Sequence, residues 1–159
     1  MPVQIGLFAD VQNIYYTTRQ IFGKPFNYRA LWAQLSASAD IRIANAYAID
    51  RGDGGQMKFQ NALHHMGFQV KLKPYIRRAD GSAKGDWDVG IALDVMEAAA
   101  GIDRVVLLSG DGDFDLLLER ARALHGVETH VYGVERLTAQ SLIAAADEFH
   151  PIDDALLMR

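Results

Sequence analysis

Short apolar runs alternate with amphipathic stretches along the whole chain. The clearest case is the four-residue run Val105–Leu108, which breaks at Ser109–Gly112 and is followed by apolar residues at helical spacing over Phe114–Leu124. A run this short and this rich in β-branched residues is typical of a strand buried on both faces, as in parallel sheets. Two glycines and a small hydroxyl allow the chain to turn sharply after it. The pattern therefore predicts a strand, a tight turn and a helix.

The same alternation recurs along the rest of the chain. It predicts four more strands, at 3–9, 41–49, 68–72 and 127–132, a short terminal segment at 149–152, and helices at 11–22, 28–37, 56–66, 89–100 and 138–146. Strands that alternate with helices form a doubly wound, three-layer α/β/α sandwich around a mostly parallel sheet, here of five to six strands. No linker, repeat or low-complexity stretch interrupts this order, so we expect one domain over residues 1–159.

Acidic residues follow the ends of two predicted strands. Asp10 comes directly after the first strand, and Asp111 and Asp113 follow Val105–Leu108. Ligands of open α/β sheets bind beyond the carboxyl ends of the strands, which is where these side chains are expected. Asp111 and Asp113 also have ordinary structural explanations, as a helix cap and as an acid favoured by the helix dipole. Asn13 lies three residues after Asp10 and can face the same side.

The segment Asp86-Trp87-Asp88 opens the predicted helix at 89–100 and adds acids to this set. Asp86 can cap the helix, and Asp88 in its first turn can point toward the same edge of the sheet. Asp94, in the middle of an apolar stretch, needs a partner or solvent. It can assist a metal through water, accept bonds that orient the site, or lie on an exposed face. Asp50 also ends a strand and is a weaker candidate.

Carboxylates from separate segments that meet at one edge repel each other, and a divalent cation removes the conflict. Oxygen ligands without Cys or clustered His select hard ions, so Mg²⁺ or Mn²⁺ is expected. Four acids are predicted to bind it: Asp10, Asp88 and Asp111 as direct ligands, and Asp113 as a second-metal or water-mediated ligand. Asn13 and Ser109 are predicted to position phosphate or water. Such an ion can activate water for attack on a phosphodiester.

A basic stretch with an interleaved aromatic residue runs from residue 71 to residue 84. It includes a single acid and the residues Lys71, Lys73, Tyr75, Arg77, Arg78 and Lys84. Cations that meet phosphates, beside a ring that stacks on a base, suit a flexible single-stranded nucleic acid. A solvated hairpin or loop explains the same composition, so both interpretations stay open.

The composition and the net charge of the chain argue against several classes of protein function. The net charge of −4 argues against a protein that coats nucleic acid without specificity, although a local basic patch can still draw a strand into a small site. The absence of cysteine excludes disulfides and thiolate chemistry, and the five histidines, which show no zinc-ligand spacing, are interpreted as structural or surface residues. With no long apolar run and no signal-like N-terminus, we expect a cytoplasmic protein without membrane contact. Assembly as a homo-oligomer stays open.

Three blocks carry the acids in a fixed order: Phe8-Ala-Asp10-Val-Gln-Asn13, Lys84-Gly-Asp-Trp-Asp88-Val-Gly-Ile-Ala-Leu-Asp94 and Leu108-Ser-Gly-Asp111-Gly-Asp113-Phe114. Together they resemble the signature motifs of the NYN domain, LabA-like branch, of PIN-like nucleases. The resemblance implies a sheet of order 3-2-1-4-5, with the strands of Asp10 and Asp111 side by side. It also implies a metal-dependent endoribonuclease that acts on RNA through acids at Asp10, Asp88, Asp111 and Asp113. The crowded second block leaves open whether Asp86 or Asp88 faces the site.

Other architectures share parts of this pattern. Gly110-Asp-Gly-Asp-Phe-Asp115 fits an acidic motif of haloacid-dehalogenase-type phosphatases, but those enzymes need a second Asp where this chain has Gln12. No glycine-rich turn follows the first strand, which argues against a dinucleotide site. The serious alternative to a ribonuclease is a regulatory module that binds RNA or protein, keeps the acidic pocket and has little or no catalysis.

Overall fold

A parallel sheet with helices on both faces forms the centre of the fold. The computed structural model describes residues 2–50, 54–74, 76–77, 83–84 and 86–159. The sheet strands are β1 (Val3–Asp10), β2 (Ala39–Asp50), β3 (Gln69–Pro74), β6 (Arg104–Leu108), β7 (Glu128–Gly133) and β8 (Glu148–Pro151). The short strands β4 (Ile76–Arg77) and β5 (Ala83–Lys84) form a separate antiparallel pair.

Among the described residues, six α-helices flank this sheet. They are α1 (Val11–Phe22), α2 (Tyr28–Ser36), α3 (Gly54–Met66), α4 (Asp88–Ala99), α5 (Asp115–His125) and α6 (Gln140–Ala145). None of the helices in the described ranges combines the length and the apolar character that crossing a bilayer requires.

The strand order is β3-β2-β1-β6-β7-β8, and all neighbours in this sheet run parallel. The predicted α/β sandwich and the predicted order of its first five strands are therefore confirmed. The terminal segment predicted at 149–152 is β8, a sixth strand that pairs with β7 at the edge of the sheet.

Each face of the sheet has its own apolar core. One core includes Leu7 and Leu108 and packs against α1, α2 and α3, and the other includes Phe8 and Leu107 and packs against α4, α5 and α6. Successive residues of a strand point to opposite faces, so a strand between two cores is apolar at every position. This explains the continuous apolar runs at 5–9 in β1 and at 105–108 in β6.

The chain reverses its direction of winding between β1 and β6. It runs outward from β1 to β2 and β3, and later returns to β6 on the other side of β1, where Ala9 pairs with Leu108. In open α/β sheets the crevice at such a reversal is the usual ligand site. The carboxyl ends of β1 and β6 lie side by side there, and they bring Asp10 and the 109–113 turn to the same edge.

The turn after β6 packs tightly against the loop between β7 and α6. The Gly110 carbonyl accepts a hydrogen bond from the Ala139 N–H at 3.1 Å. A Cβ on Gly112 would lie 2.8 Å from the Ala139 Cβ, and one on Gly110 would lie 3.0 Å from the Leu137 carbonyl oxygen. Neither glycine has a positive φ. Close approach of the neighbouring loop, and not the freedom to turn that the sequence pattern suggested, is what requires glycine here.

We expect Gly112→Ala to destabilise the protein by about 1–3 kcal/mol, because the added methyl group overpacks the contact with Ala139. Urea unfolding followed by circular dichroism measures the change. Gly54→Ala is the matched control, since a Cβ on Gly54 meets nothing within 4 Å and alanine favours the helix there. Equal stability of the two variants would contradict the packing role of Gly112.

Candidate metal centre

Three carboxylates from two separate segments meet at the carboxyl edge of the sheet. One ligand oxygen each from Asp88, Asp111 and Asp113 lies within 4.8 Å of the other two. Asp88 stands in the first turn of α4, and the other two belong to the turn after β6. We call these three residues the acidic cluster. Asp111 also caps the short 3₁₀ helix Gly112–Phe114, because its Oδ1 accepts the Asp113 N–H at 2.9 Å. The structural and the chemical interpretation of Asp111 therefore both apply.

Asp10 stands beside the acidic cluster at the end of β1, and it is buried. It is not one of the three acids that approach within 4.8 Å of one another. The Ser109 hydroxyl donates to Asp10 Oδ2 at 3.0 Å and accepts the Asp111 N–H at 3.2 Å. Ser109 is completely buried and connects the two strand ends through its hydroxyl, and its role in positioning phosphate or water stays a prediction.

Burial and the neighbouring acids raise the pKa values of two carboxylates at this edge. Burial raises the pKa of Asp10 to about 6, and the charges of Asp111 and Asp86 add to this, although the Ser109 hydroxyl and the Asn13 backbone amide oppose it. Burial also raises the pKa of Asp88 to about 7, with further contributions from Asp111, Asp86 and Asp10. The fold thus holds negative charge at a place where that charge is unfavourable.

Trp87 anchors the start of α4 to the sheet. Its Nε1–H donates to the Ala48 carbonyl at 2.8 Å, and its ring packs on Tyr47 with the centroids 5.5 Å apart. Asp88, one residue later, joins the acidic cluster, whereas Asp86 is exposed and accepts the Asp88 N–H at 3.3 Å through Oδ1. The sequence left open whether Asp86 or Asp88 faces the site. Asp88 is the acid in the cluster, and the charge of Asp86 contributes to the raised pKa of Asp88.

Asp94 has its own partners. Its Oδ2 accepts hydrogen bonds from the Tyr47 hydroxyl and from Lys71 Nζ, both at 2.7 Å. Lys73 Nζ donates to the Asp86 carbonyl at 3.1 Å and lies 4.8 Å from the centre of the Trp87 ring. Two lysines of the predicted nucleic-acid segment therefore contact the α4 region of the protein itself.

The other residues predicted to bind substrate fall into two groups. Asn13 Oδ1 accepts the Gly110 N–H at 2.9 Å and so ties α1 to the turn after β6. Arg77 and Lys84 lie on the paired strands β4 and β5, while Tyr75 and Arg78 lie outside the described residues. Nucleic-acid binding by this segment stays a prediction.

An aromatic groove beside Asp10 has no counterpart in the sequence analysis. It has a volume of about 440 Å³ and lies between α1, the end of β2 and α3, and Val11 and Gln12 line it next to Asp10. Tyr15, Tyr16 and Phe59 contribute aromatic rings that are at least one-third exposed. Adjacent residues of a helix point in different directions, so Tyr15 and Tyr16 cannot both face the core. This pair is the feature of the sequence that could have indicated an exposed aromatic surface.

The comparisons with known proteins agree with this fold and with these blocks. The profile of the NYN domain family matches residues 4–153. The low amplitude and bright protein LabA of Synechococcus elongatus is 28% identical over 163 aligned positions, which cover 96% of this chain and 86% of LabA.

Solved structures give the same result. A protein of unknown function from Vibrio parahaemolyticus, VPA0982, superimposes with a TM-score of 0.94 at 49% identity, over 99% of this chain and 97% of that one. Ribokinase from Giardia lamblia, with a TM-score of 0.50 at 14% identity over 77% of this chain and 44% of that one, shares only the α/β fold. Because the family profile extends over nearly the whole sheet and includes all three acidic blocks, the chain belongs to the NYN domain family.

Proposed function

We propose that this NYN domain is a metal-dependent endoribonuclease of the PIN-like type, which hydrolyses RNA phosphodiesters with Mg²⁺ or Mn²⁺. The observation that carries the proposal is the acidic cluster next to the buried Asp10, at the winding reversal of the sheet. Within the described part of the chain, no lysine or arginine forms an ion pair with any of these four carboxylates. Their negative charge is therefore available to a cation.

The donor set fits a hard divalent ion. All of its atoms are carboxylate oxygens, which Mg²⁺ and Mn²⁺ prefer over nitrogen or sulfur. Burial, and after it the charges of the neighbouring acids, raises the pKa values of Asp10 and Asp88, so their ionised forms are unfavourable without a cation. Asp88, Asp111 and Asp113 would hold the ion, and Asp10 would add its charge from the buried side. When bound, the ion supplies activation of water and stabilisation of charge on the phosphoryl oxygens.

The chain itself supplies the positioning. The Ser109 hydroxyl fixes Asp10 relative to the backbone of Asp111, and Asn13 holds the turn between them through Gly110. Trp87 fixes the helix start that carries Asp88. Because these contacts are made inside the protein, the acids need little reorganisation to receive a substrate.

Single-stranded RNA is the substrate that the aromatic groove favours. The groove begins next to Asp10, so bases that flank a phosphate at the acidic cluster can reach it. The exposed Tyr15 ring has the Arg19 guanidinium 5.2 Å from its centre, and Phe59 lies on the opposite side of the groove, on α3. Aromatic rings with a neighbouring cation stack unpaired bases without strong sequence preference. We propose that Tyr75, Arg77, Arg78 and Lys84 extend this contact along the phosphate backbone.

A regulatory RNA-binding module with the same pocket is the second candidate. The observation that favours it is the net charge of −4, which gives little general attraction to nucleic acid. This candidate predicts binding of Mn²⁺ and RNA without hydrolysis, so one cleavage assay separates the two functions.

We expect Asp111→Asn to weaken Mn²⁺ binding by more than about tenfold. It should slow cleavage of a fluorescent single-stranded RNA by about 100-fold or more, since a catalytic metal supplies several kcal/mol. Asparagine keeps the oxygen that caps the Asp113 N–H, so the fold should persist. Titration calorimetry and gel electrophoresis measure the two effects.

The control for this variant is Glu119→Gln, which removes one exposed carboxylate from α5 outside the acidic cluster. It should leave both measurements unchanged. Cleavage that survives Asp111→Asn would overturn the assignment of the acids, and metal and RNA binding without cleavage by the unmodified protein would favour the regulatory module.

The metal-free protein should lose stability as the pH rises toward neutrality. A carboxyl whose pKa is raised in the folded state keeps its proton longer than the unfolded chain does, so its contribution is present at low pH and is lost between the unfolded value of 3.8 and the folded value of about 6 for Asp10. Asp10→Asn removes this loss. At about pH 8 with a chelator, we expect Asp10→Asn to be more stable than the unmodified protein, by up to about 3 kcal/mol.

Chemical unfolding at several pH values tests this expectation. Glu97→Gln, at an exposed position of α4, is the control and should follow the unmodified protein at every pH. If Asp10→Asn is less stable at alkaline pH, the carboxylate is stabilising and the argument from its unfavourable burial is wrong.

We expect Tyr15→Ala to weaken single-stranded RNA binding about 5- to 150-fold, because stacking of one base contributes roughly 1–3 kcal/mol. Binding to a perfect duplex, whose bases are not available for stacking, should change little. Fluorescence anisotropy measures both affinities. Leu124→Ala removes an exposed apolar side chain from α5 and serves as the control. Equal losses for single strands and duplexes would contradict base stacking in the groove.

A further inference from the structure

Two histidines and a glutamate meet on β7 and β8, the last two strands of the sheet, to the side of the central strands that hold the acidic cluster. His130 lies in β7, and Glu148 and His150 lie in β8. His130 Nδ1 is 3.0 Å from His150 Nε2, and each of these nitrogens is 3.4 Å from Glu148 Oε2. The sequence alone predicts that these histidines are structural or surface residues, because the five histidines of the chain show no zinc-ligand spacing.

The three atoms have the spacing of a zinc coordination site. In a tetrahedral site with bonds of about 2.0–2.1 Å, neighbouring ligand atoms are about 3.3 Å apart. The observed separations of 3.0, 3.4 and 3.4 Å therefore match one face of such a tetrahedron. We propose that His130, His150 and Glu148 form a second metal site, which binds a borderline transition-metal ion of the Zn²⁺ class.

The groups on the Nε2 side of the His130 ring are those expected around a metal ligand. Its Nε2 bonds to Glu128 Oε1, and that carboxylate is itself 3.3 Å from Arg104 Nε. With the proton on Nε2 directed at Glu128, the Nδ1 lone pair faces His150 and Glu148. A carboxylate that receives the outer N–H of a ligating histidine is the usual support of protein zinc sites, because it fixes the tautomer and the ring orientation.

The ring of His150 is also held in place. It stacks on Tyr132, with the ring centres 4.4 Å apart and the planes at 15°. The charges of Glu128, Glu148 and Arg104 sum to −1, so a divalent cation is not repelled.

The site has an open side. The His130 side chain is 8% exposed, whereas those of His150 and Glu148 are 35% and 59% exposed. An ion can enter past Glu148, and a water can complete the coordination with three protein ligands already present. Nitrogen-rich donors select Zn²⁺, Co²⁺, Ni²⁺ or Cu²⁺, whereas the carboxylates of the acidic cluster select Mg²⁺ or Mn²⁺. The two sites are therefore chemically distinguishable.

Cobalt titration of the chelator-treated full chain tests the proposal, because tetrahedral Co²⁺ absorbs visible light intensely and octahedral Co²⁺ on carboxylates and water does so weakly. We expect an intense visible band that saturates at one equivalent and that Zn²⁺ abolishes by displacement. Asp111→Asn should leave this band unchanged, since it alters only the acidic cluster. The result is thus independent of the proposed ribonuclease function.

Three variants assign the ligands. His150→Gln and Glu148→Gln should each weaken Co²⁺ binding by at least about tenfold, and Glu128→Gln, which acts through His130, by about 10- to 100-fold. His64→Gln, at an exposed position of α3, is the matched control and should bind like the unmodified protein. Glu148 is largely exposed, so its variant keeps the fold, which circular dichroism checks.

Two outcomes would overturn the proposal. One is the absence of a tetrahedral band in the unmodified protein, which would leave a hydrogen-bonded histidine pair without metal. The other is a band that persists in both His150→Gln and Glu148→Gln, which would place the ion elsewhere.

Discussion

Negative charge is concentrated where β1 and β6 end, and the surrounding structure holds it there against its own repulsion. Asp10 is buried between the strand ends, and its pKa rises to about 6 because burial disfavours the carboxylate. Parallel pairing of β1 with β6 makes the approach unavoidable, since the two strands end at the same level. The stability of the folded sheet thus offsets the unfavourable free energy of holding a buried carboxylate at this place. Carboxylates whose pKa values are shifted in this way are common at functional sites.

Contacts distant from the acids determine where the acids lie. Asp88 reaches the acidic cluster because Trp87 donates a hydrogen bond to the Ala48 carbonyl and packs on Tyr47. The same tyrosine donates to Asp94, which also pairs with Lys71 of β3. One network therefore links β2, β3 and α4, so that a helix joined to the sheet by a long connection still begins at a defined place.

Two sets of possible metal ligands lie on different parts of the sheet. Carboxylate oxygens gather at the carboxyl ends of the central strands, where the topology brings loops together. Imidazole nitrogens gather on β7 and β8, where parallel pairing places His130 opposite Glu148 and Tyr132 opposite His150. Register alone produces the second set, because residues of adjacent strands that share a face are neighbours. Hard and borderline cations would thus be sorted by ligand type.

Much of the fold can be read from the chain because its signals are local. Four apolar residues before Ser109 indicate a buried strand, helical spacing after Phe114 indicates a helix, and glycines at 23 and 126 end helices in left-handed conformations. Acids that follow strands are visible in the same way, because strand ends of a parallel sheet share an edge. The rest depends on contacts between distant segments.

The sequence by itself determined the α/β alternation, the strand order through the family motifs, and the set of acids at the strand ends. Only the tertiary structure decided that Asp88 and not Asp86 joins the cluster, that Ser109 connects the Asp10 carboxylate to the Asp111 backbone, and that Ala139 leaves no room for a Cβ at Gly112. It alone paired His130 with His150 and opened a groove at Tyr15. The physical reason is that periodicity reports which face a residue takes, whereas side-chain partners depend on register and packing between elements far apart in the chain.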